Sequence, residues 1–407
     1  MKRRLFIGVL GGASLAALSS GAASDAVAAG APPRIDTPEE RAEYTKRLLK
    51  ELCTDLGPRP TGTPASRKGA LIIKRELARS LPIAELDTFT FTRWELVGKP
   101  EFFLGSQPME TWPFYGTPST PPEGIRGVLK KTGESRYVIA DASSAATRAN
   151  LSISSYGRAI PSYQNPETPN GLPTFGLGKQ DILLIEKAER SKAPVFARVI
   201  TRLRPNVSSS SVVGRLPGKV TDEIFIVAHS DTEYQSPGAN DNTASVIVMI
   251  LLAHAAAAMK PDLTLTFMAA DAEEYGFYGA KHYAARREAD GTMKSIRITL
   301  NFDSLTYGPN LQVHGKDEAL KQVICDIHRD LAIGTEPQYF DDYDYVMDSE
   351  PFRTSGGKAL YFNSRGYDEK TLPVYHRPDD VPMSVPLDCV ETSFLVLLEF
   401  IRRMGKA

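Results

Sequence analysis

Histidines and carboxylates follow several apolar runs in the second half of this 407-residue chain. Imidazole and carboxylate groups bind divalent metals and transfer protons, so their grouping suggests metal or acid–base chemistry. Taken singly, each has an ordinary explanation: a histidine after a strand is commonly hydrogen-bonded, an aspartate can cap a helix, and adjacent acids usually form a solvated turn. The residues are His229 and Asp231 after "EIFIVA", Asp241 in "SPGANDNTAS", Glu273 and Glu274 after "LTLTFMAA", Asp303 after "IRITLNF", and His376 in "VYHRPDD".

Alternating strands and helices are expected to bring these residues together. The apolar segments "EIFIVAH", "LTLTFMAAD", "IRITLNFD", "LQVHG" and "KALYFNS" alternate with helical stretches at 243–259, 277–289, 317–331 and 388–404. This alternation predicts an α/β fold with a three-layer, mixed and largely parallel sheet and helices on both faces. Sites in such sheets form outside the carboxyl ends of the strands, so we expect the histidines and acids to converge at that edge.

A cluster of that composition needs cations, because carboxylates at one edge with few basic residues between them repel one another. Mixed imidazole and carboxylate ligands suit zinc, or less often another divalent transition metal. Two imidazoles with three or four carboxylates are too many for one tetrahedral zinc, but they suit two metals. A carboxylate can bridge a metal pair about 3.5–4 Å apart, as in two-metal hydrolases.

The adjacent Glu273 and Glu274 have a candidate explanation in such a site. Neighbouring residues in a loop point in different directions, so one glutamate can bind a metal while the other takes a proton from the attacking water. A general base of this kind contributes about 10²–10⁴ in rate. Gly276 and Gly279 would let the backbone turn tightly beside the site.

Five short motifs, in order, resemble the zinc-dependent exopeptidase family of bacterial leucyl aminopeptidases and aminopeptidase Y. They are "HSD" at 229–231, "GANDN" at 238–242, "EEYG" at 273–276, "NFD" at 301–303 and "YH" at 375–376. The resemblance covers roughly 210–407 and extends through "LGPRPTGTPAS" towards residue 40. Two segments depart from the usual pattern without touching a predicted ligand: "VMDSEPF" at 346–352 lacks a histidine, and "NFDS" replaces a more usual Asn-Leu-Asp-Met.

The resemblance implies a role for each residue and two zinc ions as cofactors. Asp241 would bridge the two zincs, and Glu273 would be the general base. Asp231 would orient the imidazole of His229. The remaining ligands are shared out as Glu274 and His376 on one metal, and His229 and Asp303 on the other.

The resemblance and the composition together predict four regions along the chain. Residues 36–97 form the N-terminal part of the peptidase domain and residues 196–407 its main part. The Pro-, Gly- and Ser-rich residues 98–195 resemble a protease-associated domain, predicted as a small, mostly β insert; an irregular insertion is the alternative. Residues 1–29 read as an export signal, either twin-arginine (Arg3-Arg4) or ordinary secretory.

Composition narrows the partners. The formal net charge of −1 and the absence of long like-charge blocks give no indication of nucleic-acid or anionic-membrane binding. The longest apolar run after the signal, 246–259, is short of the roughly 20 residues that span a bilayer. Three widely spaced cysteines, Cys53, Cys325 and Cys389, allow at most one disulfide and lack the spacing of metal ligands. We therefore expect an exported protein, periplasmic or extracellular, that acts on peptides; the oligomeric state is not indicated.

The leading functional interpretation is a dizinc aminopeptidase that removes N-terminal residues from peptides. A glutaminyl cyclase-like enzyme with a single zinc shares the fold that the resemblance implies, and a carboxypeptidase of the same superfamily is a third possibility. A carboxypeptidase needs a dedicated arginine for the C-terminal carboxylate of its substrate, and the sequence does not place one. A non-catalytic binding ectodomain is disfavoured, because idle carboxylates at one edge would destabilise the fold.

Overall fold

The computed structural model describes residues 30–155, 157–164, 171–341, 347–365 and 373–406. The predicted export signal, residues 1–29, lies outside the described residues. Within them the chain forms eight α-helices and sixteen strands. The helices are α1 Pro38–Leu49, α2 Pro64–Ala78, α3 Ile182–Ser191, α4 Ala244–Met259, α5 Tyr278–Ala289, α6 Glu318–Asp330, α7 Glu350–Thr354 and α8 Leu387–Met404.

The strands form two sheets. The first nine are β1 Ile83–Leu96, β2 Glu101–Leu104, β3 Gln107–Pro108, β4 Trp112–Pro113, β5 Ile125–Gly133, β6 Arg136–Ala140, β7 Thr147–Ser154, β8 Thr174–Gly178 and β9 Pro194–Arg198. The others are β10 Thr201–Leu216, β11 Glu223–His229, β12 Thr264–Ala270, β13 Ile296–Phe302, β14 Asn310–His314, β15 Gln338–Phe340 and β16 Lys358–Arg365.

The larger sheet has the order β1-β10-β12-β11-β13-β16-β14-β15. Its four central strands, β12, β11, β13 and β16, are mutually parallel, while β1, β10 and β14 join antiparallel to their inner neighbours. The mixed, largely parallel α/β sheet predicted from the sequence is therefore confirmed. The strand and helix bounds in this half agree with the expected segments to within one residue at most ends.

Helices cover both faces of this sheet because its central strands are apolar on both sides. Along β11, Ile224 and Ile226 pack into the core beneath α1, α2, α4, α6 and α8, while Phe225 and Val227 pack against α5 and α7. Helix α4 is apolar all round and lies within the first of these cores. The described segment Ala239–Met259 is long and apolar enough to cross a membrane, but 78% of its most apolar window is buried inside the protein.

The region between β1 and β10 forms the second sheet, with the order β3-β2-β9-β5-β6-β7-β8-β4. It is mostly antiparallel, carries the single helix α3 among the described residues, and has a hydrophobic core of its own. The long strands β1 and β10 pair with each other over nearly their full length and lead the chain into and out of this sheet. We keep the name insert for residues 98–195.

Candidate metal centre

Three parallel strands end at the same level and deliver four of the predicted residues. The register pairs His229 with Ala270 and Ala228 with Phe302, so β11, β12 and β13 finish together. His229 closes β11, the Glu273–Glu274 loop follows β12, and Asp303 follows β13 directly. The carboxyl edge of the sheet therefore collects the acids and the imidazole, as the alternation of strands and helices predicts.

Asp241 reaches the same edge from the turn before α4, and its backbone is held on two sides. The carboxylate of Asp380 accepts the backbone N–H groups of Asn240 at 2.9 Å and of Asp241 at 3.0 Å. The side chain of Asn242 donates to Phe302 O at 2.8 Å, which ties the turn to the end of β13. Gly238 has a φ of +64°, and a Cβ there would lie 2.5 Å from Asp241 O, so this turn requires glycine.

The two histidines present their Nε2 atoms to opposite oxygens of the Asp241 carboxylate. His229 Nε2 lies 3.1 Å from Asp241 Oδ1 and 3.6 Å from Asp303 Oδ1. His376 Nε2 lies 3.3 Å from Asp241 Oδ2 and 3.1 Å from Glu274 Oε2. The other four predicted ligands thus lie in two groups, one on each side of the Asp241 carboxylate.

The donor set fits divalent cations. Asp241 Oδ2 and Glu274 Oε1 are buried and accept no hydrogen bond from the described part of the chain. Within that part, the ion-pair partners of Asp241 and Glu274 are the imidazoles of His229 and His376, with no lysine or arginine among them. Two nitrogen donors and several unsatisfied carboxylate oxygens are the chemistry that zinc accepts.

The pKa shifts of the two histidines also indicate a site that binds cations. Burial opposes a charged imidazole, but the surrounding carboxylates outweigh it and raise the pKa of His229 and of His376 well above the usual value. Burial also opposes charge on Asp241, yet its contacts with the two imidazoles lower the pKa of its carboxyl. The pocket therefore attracts positive charge strongly, which a divalent ion can supply in place of protons.

Asp231 sits behind the cluster and supports two of its parts. Its Oδ1 accepts the backbone N–H of Glu273 at 3.1 Å, and its Oδ2 accepts that of Glu274 at 3.2 Å. His229 Nδ1 lies 3.7 Å from Asp231 Oδ1 and 3.2 Å from the Asp231 carbonyl oxygen. Asp231 is thus placed to orient both the imidazole and the loop that carries the two glutamates.

The loop 271–279 turns the two glutamates in different directions. Ala272, Gly276 and Phe277 all have positive φ values, of 66°, 104° and 64°. A Cβ on Gly279 would lie 2.3 Å from Asp271 O, so the chain can double back there only with glycine. Glu274 faces His376, whereas Glu273 groups with His229 and Asp303.

Glu273 has the surroundings of a proton acceptor. Burial and the carboxylates of Glu274, Asp303 and Asp348 raise its pKa well above the usual value, with His229 acting in the opposite direction. A carboxyl in this environment readily holds a proton that it has accepted. Its position beside the His229 and Asp303 ligand atoms places that proton acceptor at the edge of the candidate metal pair.

Three buried acids near the site were missed by the sequence reasoning. Asp380, four positions after His376 in "VYHRPDD", holds the Asp241 turn. Asp348 is buried with neither carboxylate oxygen hydrogen-bonded to the described residues, and burial is the first cause that raises its pKa to about 7. Glu233 is buried and groups with Glu274 and His376. The signal for Glu233 in the sequence is a second acid, two positions after Asp231.

Comparison with known proteins agrees with this geometry. Residues 211–401, which include every predicted ligand, match the model of peptidase family M28. This part of the chain is similar to that family. Aminopeptidase YwaD of Bacillus subtilis (strain 168) is 26% identical over 380 residues, a stretch that covers 84% of this chain and 80% of YwaD. The chain described here is accordingly a metallopeptidase.

Solved structures share the fold of this chain at low identity. BSAP, a zinc aminopeptidase from Bacillus subtilis, matches with a TM-score of 0.70 at 19% identity, covering 90% of this chain and 95% of BSAP. A glutaminyl cyclase from an Acidobacteriales bacterium matches with a TM-score of 0.56 at 16% identity, covering 94% of this chain and 99% of the cyclase. At these identities the likeness concerns the fold.

Proposed function

We propose that this chain is an exported dizinc aminopeptidase that hydrolyses the first peptide bond of peptides. The observation that carries the proposal is the position of Asp241, whose two carboxylate oxygens face His229 Nε2 at 3.1 Å and His376 Nε2 at 3.3 Å. Asp303 completes the group on the His229 side and Glu274 the group on the His376 side. Zinc, when bound there, would polarise the peptide carbonyl and lower the pKa of a coordinated water to about 7.

The chain's own residues supply the proton transfers. Glu273 takes a proton from the attacking water as oxygen bonds to the carbonyl carbon. The same proton passes to the amide nitrogen as the C–N bond breaks, which releases a free amino acid and a peptide one residue shorter. Asp231 fixes the backbone of Glu273 during this exchange through the 3.1 Å hydrogen bond, so the carboxylate does not have to reorganise.

The names of YwaD and BSAP as aminopeptidases support cleavage at the N-terminal end of the substrate. The described residues near the metal centre also supply no free arginine for a substrate's C-terminal carboxylate: the buried Arg377 contacts Glu110, Ala159 O and Asp379. This disfavours the carboxypeptidase alternative. A non-catalytic binding ectodomain is also disfavoured, because no residue of the predicted metal-ligand set is missing.

A glutaminyl cyclase remains the second candidate because the fold is shared. The experiment that separates the two measures hydrolysis of aminoacyl-p-nitroanilides and cyclisation of an N-terminal glutamine peptide by the same zinc-loaded protein, with and without a chelator. We expect chelator-sensitive release of nitroaniline and no pyroglutamate. Pyroglutamate formation without nitroanilide hydrolysis would overturn the proposal.

A further inference from the structure

Glu233 is a buried carboxylate that the mechanism above does not use. It is only 1% exposed, and its Oε1 lies 3.7 Å from Nδ1 of His376. Its Oε2 accepts no hydrogen bond from the described part of the chain. A carboxylate kept away from water in this way costs free energy unless it serves a partner, and the nearest candidate is the ring of His376.

The two ring nitrogens of His376 face different groups. Nε2 faces Glu274 at 3.1 Å and Asp241 at 3.3 Å, which is the side on which a metal would lie. Nδ1, on the other edge of the ring, faces Glu233. Glu233 is therefore placed to receive the Nδ1 proton rather than to bind the metal itself.

His376 needs such support more than His229 does. His229 ends a central strand of the sheet, whereas His376 lies outside helices and strands and has a φ of +54°, in the left-handed region. Gln235, two residues after Glu233, donates from Nε2 to the His376 carbonyl oxygen at 2.6 Å. One short segment thus reaches both the backbone and the ring of His376.

The same segment also carries the partner of the other histidine. Asp231 faces Nδ1 of His229 and Glu233 faces Nδ1 of His376, at 3.7 Å in each case. Segment 231–235 therefore supports one histidine on each side of Asp241.

We propose that Glu233 is a positioning residue that fixes the tautomer and orientation of His376, so that the metal held by Glu274 and His376 depends on it. This inference rests on the proposed two-metal function. Loss of an outer partner of a metal-binding histidine typically costs about 10- to 100-fold in metal affinity. Because Glu233 contacts His376 and not His229, we expect that loss at one of the two metal sites only.

The test titrates metal-free protein with Zn²⁺ against a chromophoric chelator, comparing the wild type with Glu233→Leu and Glu233→Gln. Glu233→Leu removes the acceptor at similar volume, and we expect one site to weaken by about 10- to 100-fold while the other keeps its affinity. Glu233→Gln retains an acceptor oxygen and should recover part of that loss. Asp231→Asn is the matched comparison, because it should weaken the other site.

Thermal unfolding of the metal-free proteins separates positioning from general stability. Glu233→Leu should be about as stable as the wild type without metal, since it removes a buried carboxylate whose Oε2 accepts no hydrogen bond from the described part of the chain. Unchanged zinc affinity at both sites would overturn the inference, whether or not the metal-free variant is less stable than the wild type. If the wild type itself binds fewer than two zincs, the proposed function fails, and that result is seen before any variant is compared.

Discussion

Asp231 Oδ1 accepts the backbone N–H of Glu273 at 3.1 Å, so a buried carboxylate at the end of β11 fixes the residue proposed as general base on the loop after β12. The other oxygen of Asp231 does the same for Glu274. One side chain thereby sets the relative position of a proton acceptor and a metal ligand. The adjacent glutamates can have separate roles because Asp231 holds the backbone N–H groups of both.

Glu273→Gln should abolish turnover while leaving metal binding intact. The amide cannot accept the proton of the attacking water, and a general base contributes about 10²–10⁴ in rate. Aminoacyl-p-nitroanilide hydrolysis should therefore fall by at least about 100-fold. Metal analysis of the same sample is the control. A variant that keeps both metals and most of its activity would show that the base is misassigned.

Asp231→Asn should weaken zinc binding and also disturb the position of the proposed general base, Glu273. The amide has one acceptor oxygen, so it cannot hold the two backbone N–H groups and also face His229 Nδ1 as a carboxylate does. We expect zinc affinity to fall about 10- to 100-fold at one site. Chelator competition measures the zinc affinity. Full restoration of the hydrolysis rate at saturating zinc would contradict the prediction, because it would show that the loop 271–279 does not depend on the hydrogen bonds to Asp231.

The sequence located the residues that follow strand ends and, through the family motifs, the loop residues Asp241 and His376, but it did not locate the buried acids that support them from distant loops. His229, Glu274 and Asp303 follow apolar strands, whose parallel register brings them to one edge. Glu233 and Asp380 act across the fold: Asp380 contacts Asn240 from 140 positions away in the sequence. Nothing local in the sequence encodes such a contact.

A second buried network, around His254 of α4, makes an acid-sensitive contribution to stability. His254 Nδ1 lies 2.7 Å from Ser80 Oγ and its Nε2 lies 2.9 Å from the hydroxyl of Tyr44, which donates to Glu76 Oε2 at 2.8 Å. Burial lowers the pKa of His254 from its usual 6.5 to about 4. The folded state therefore favours neutral His254, and the contribution of His254 to stability should be lost as the pH drops from 6.5 towards about 4.

Denaturant unfolding of metal-free protein across this pH range measures the effect. At about 1.4 kcal/mol per pKa unit, the His254 contribution amounts to about 3 kcal/mol. His254→Gln should flatten the dependence of the unfolding free energy on pH between these limits. Identical slopes for the variant and the wild type would contradict the assignment.

Glu76→Gln should destabilise the protein at neutral pH. Burial acts to raise the pKa of Glu76, but hydrogen bonds from Arg47, Tyr44 and Arg75 outweigh it and lower the pKa to about 2. The ionised form thus stabilises the fold at neutral pH, and its contribution is lost as the pH falls from 4.5 towards about 2. Breaking a buried ion pair costs about 3–5 kcal/mol. Exposed Glu43→Gln, which removes the Lys46 pair on the surface of α1, is the matched control and should cost under about 1 kcal/mol.

The number of zinc ions per chain tests the account most directly. Purified protein, stripped and reloaded with Zn²⁺, should hold two ions per chain by elemental analysis, and Asp241→Ala, which removes the carboxylate shared by the two ligand groups, should hold neither tightly. Activity should return with the second equivalent of zinc. A wild-type protein that is fully active with one ion, or an Asp241→Ala variant that keeps two, would contradict the central claim.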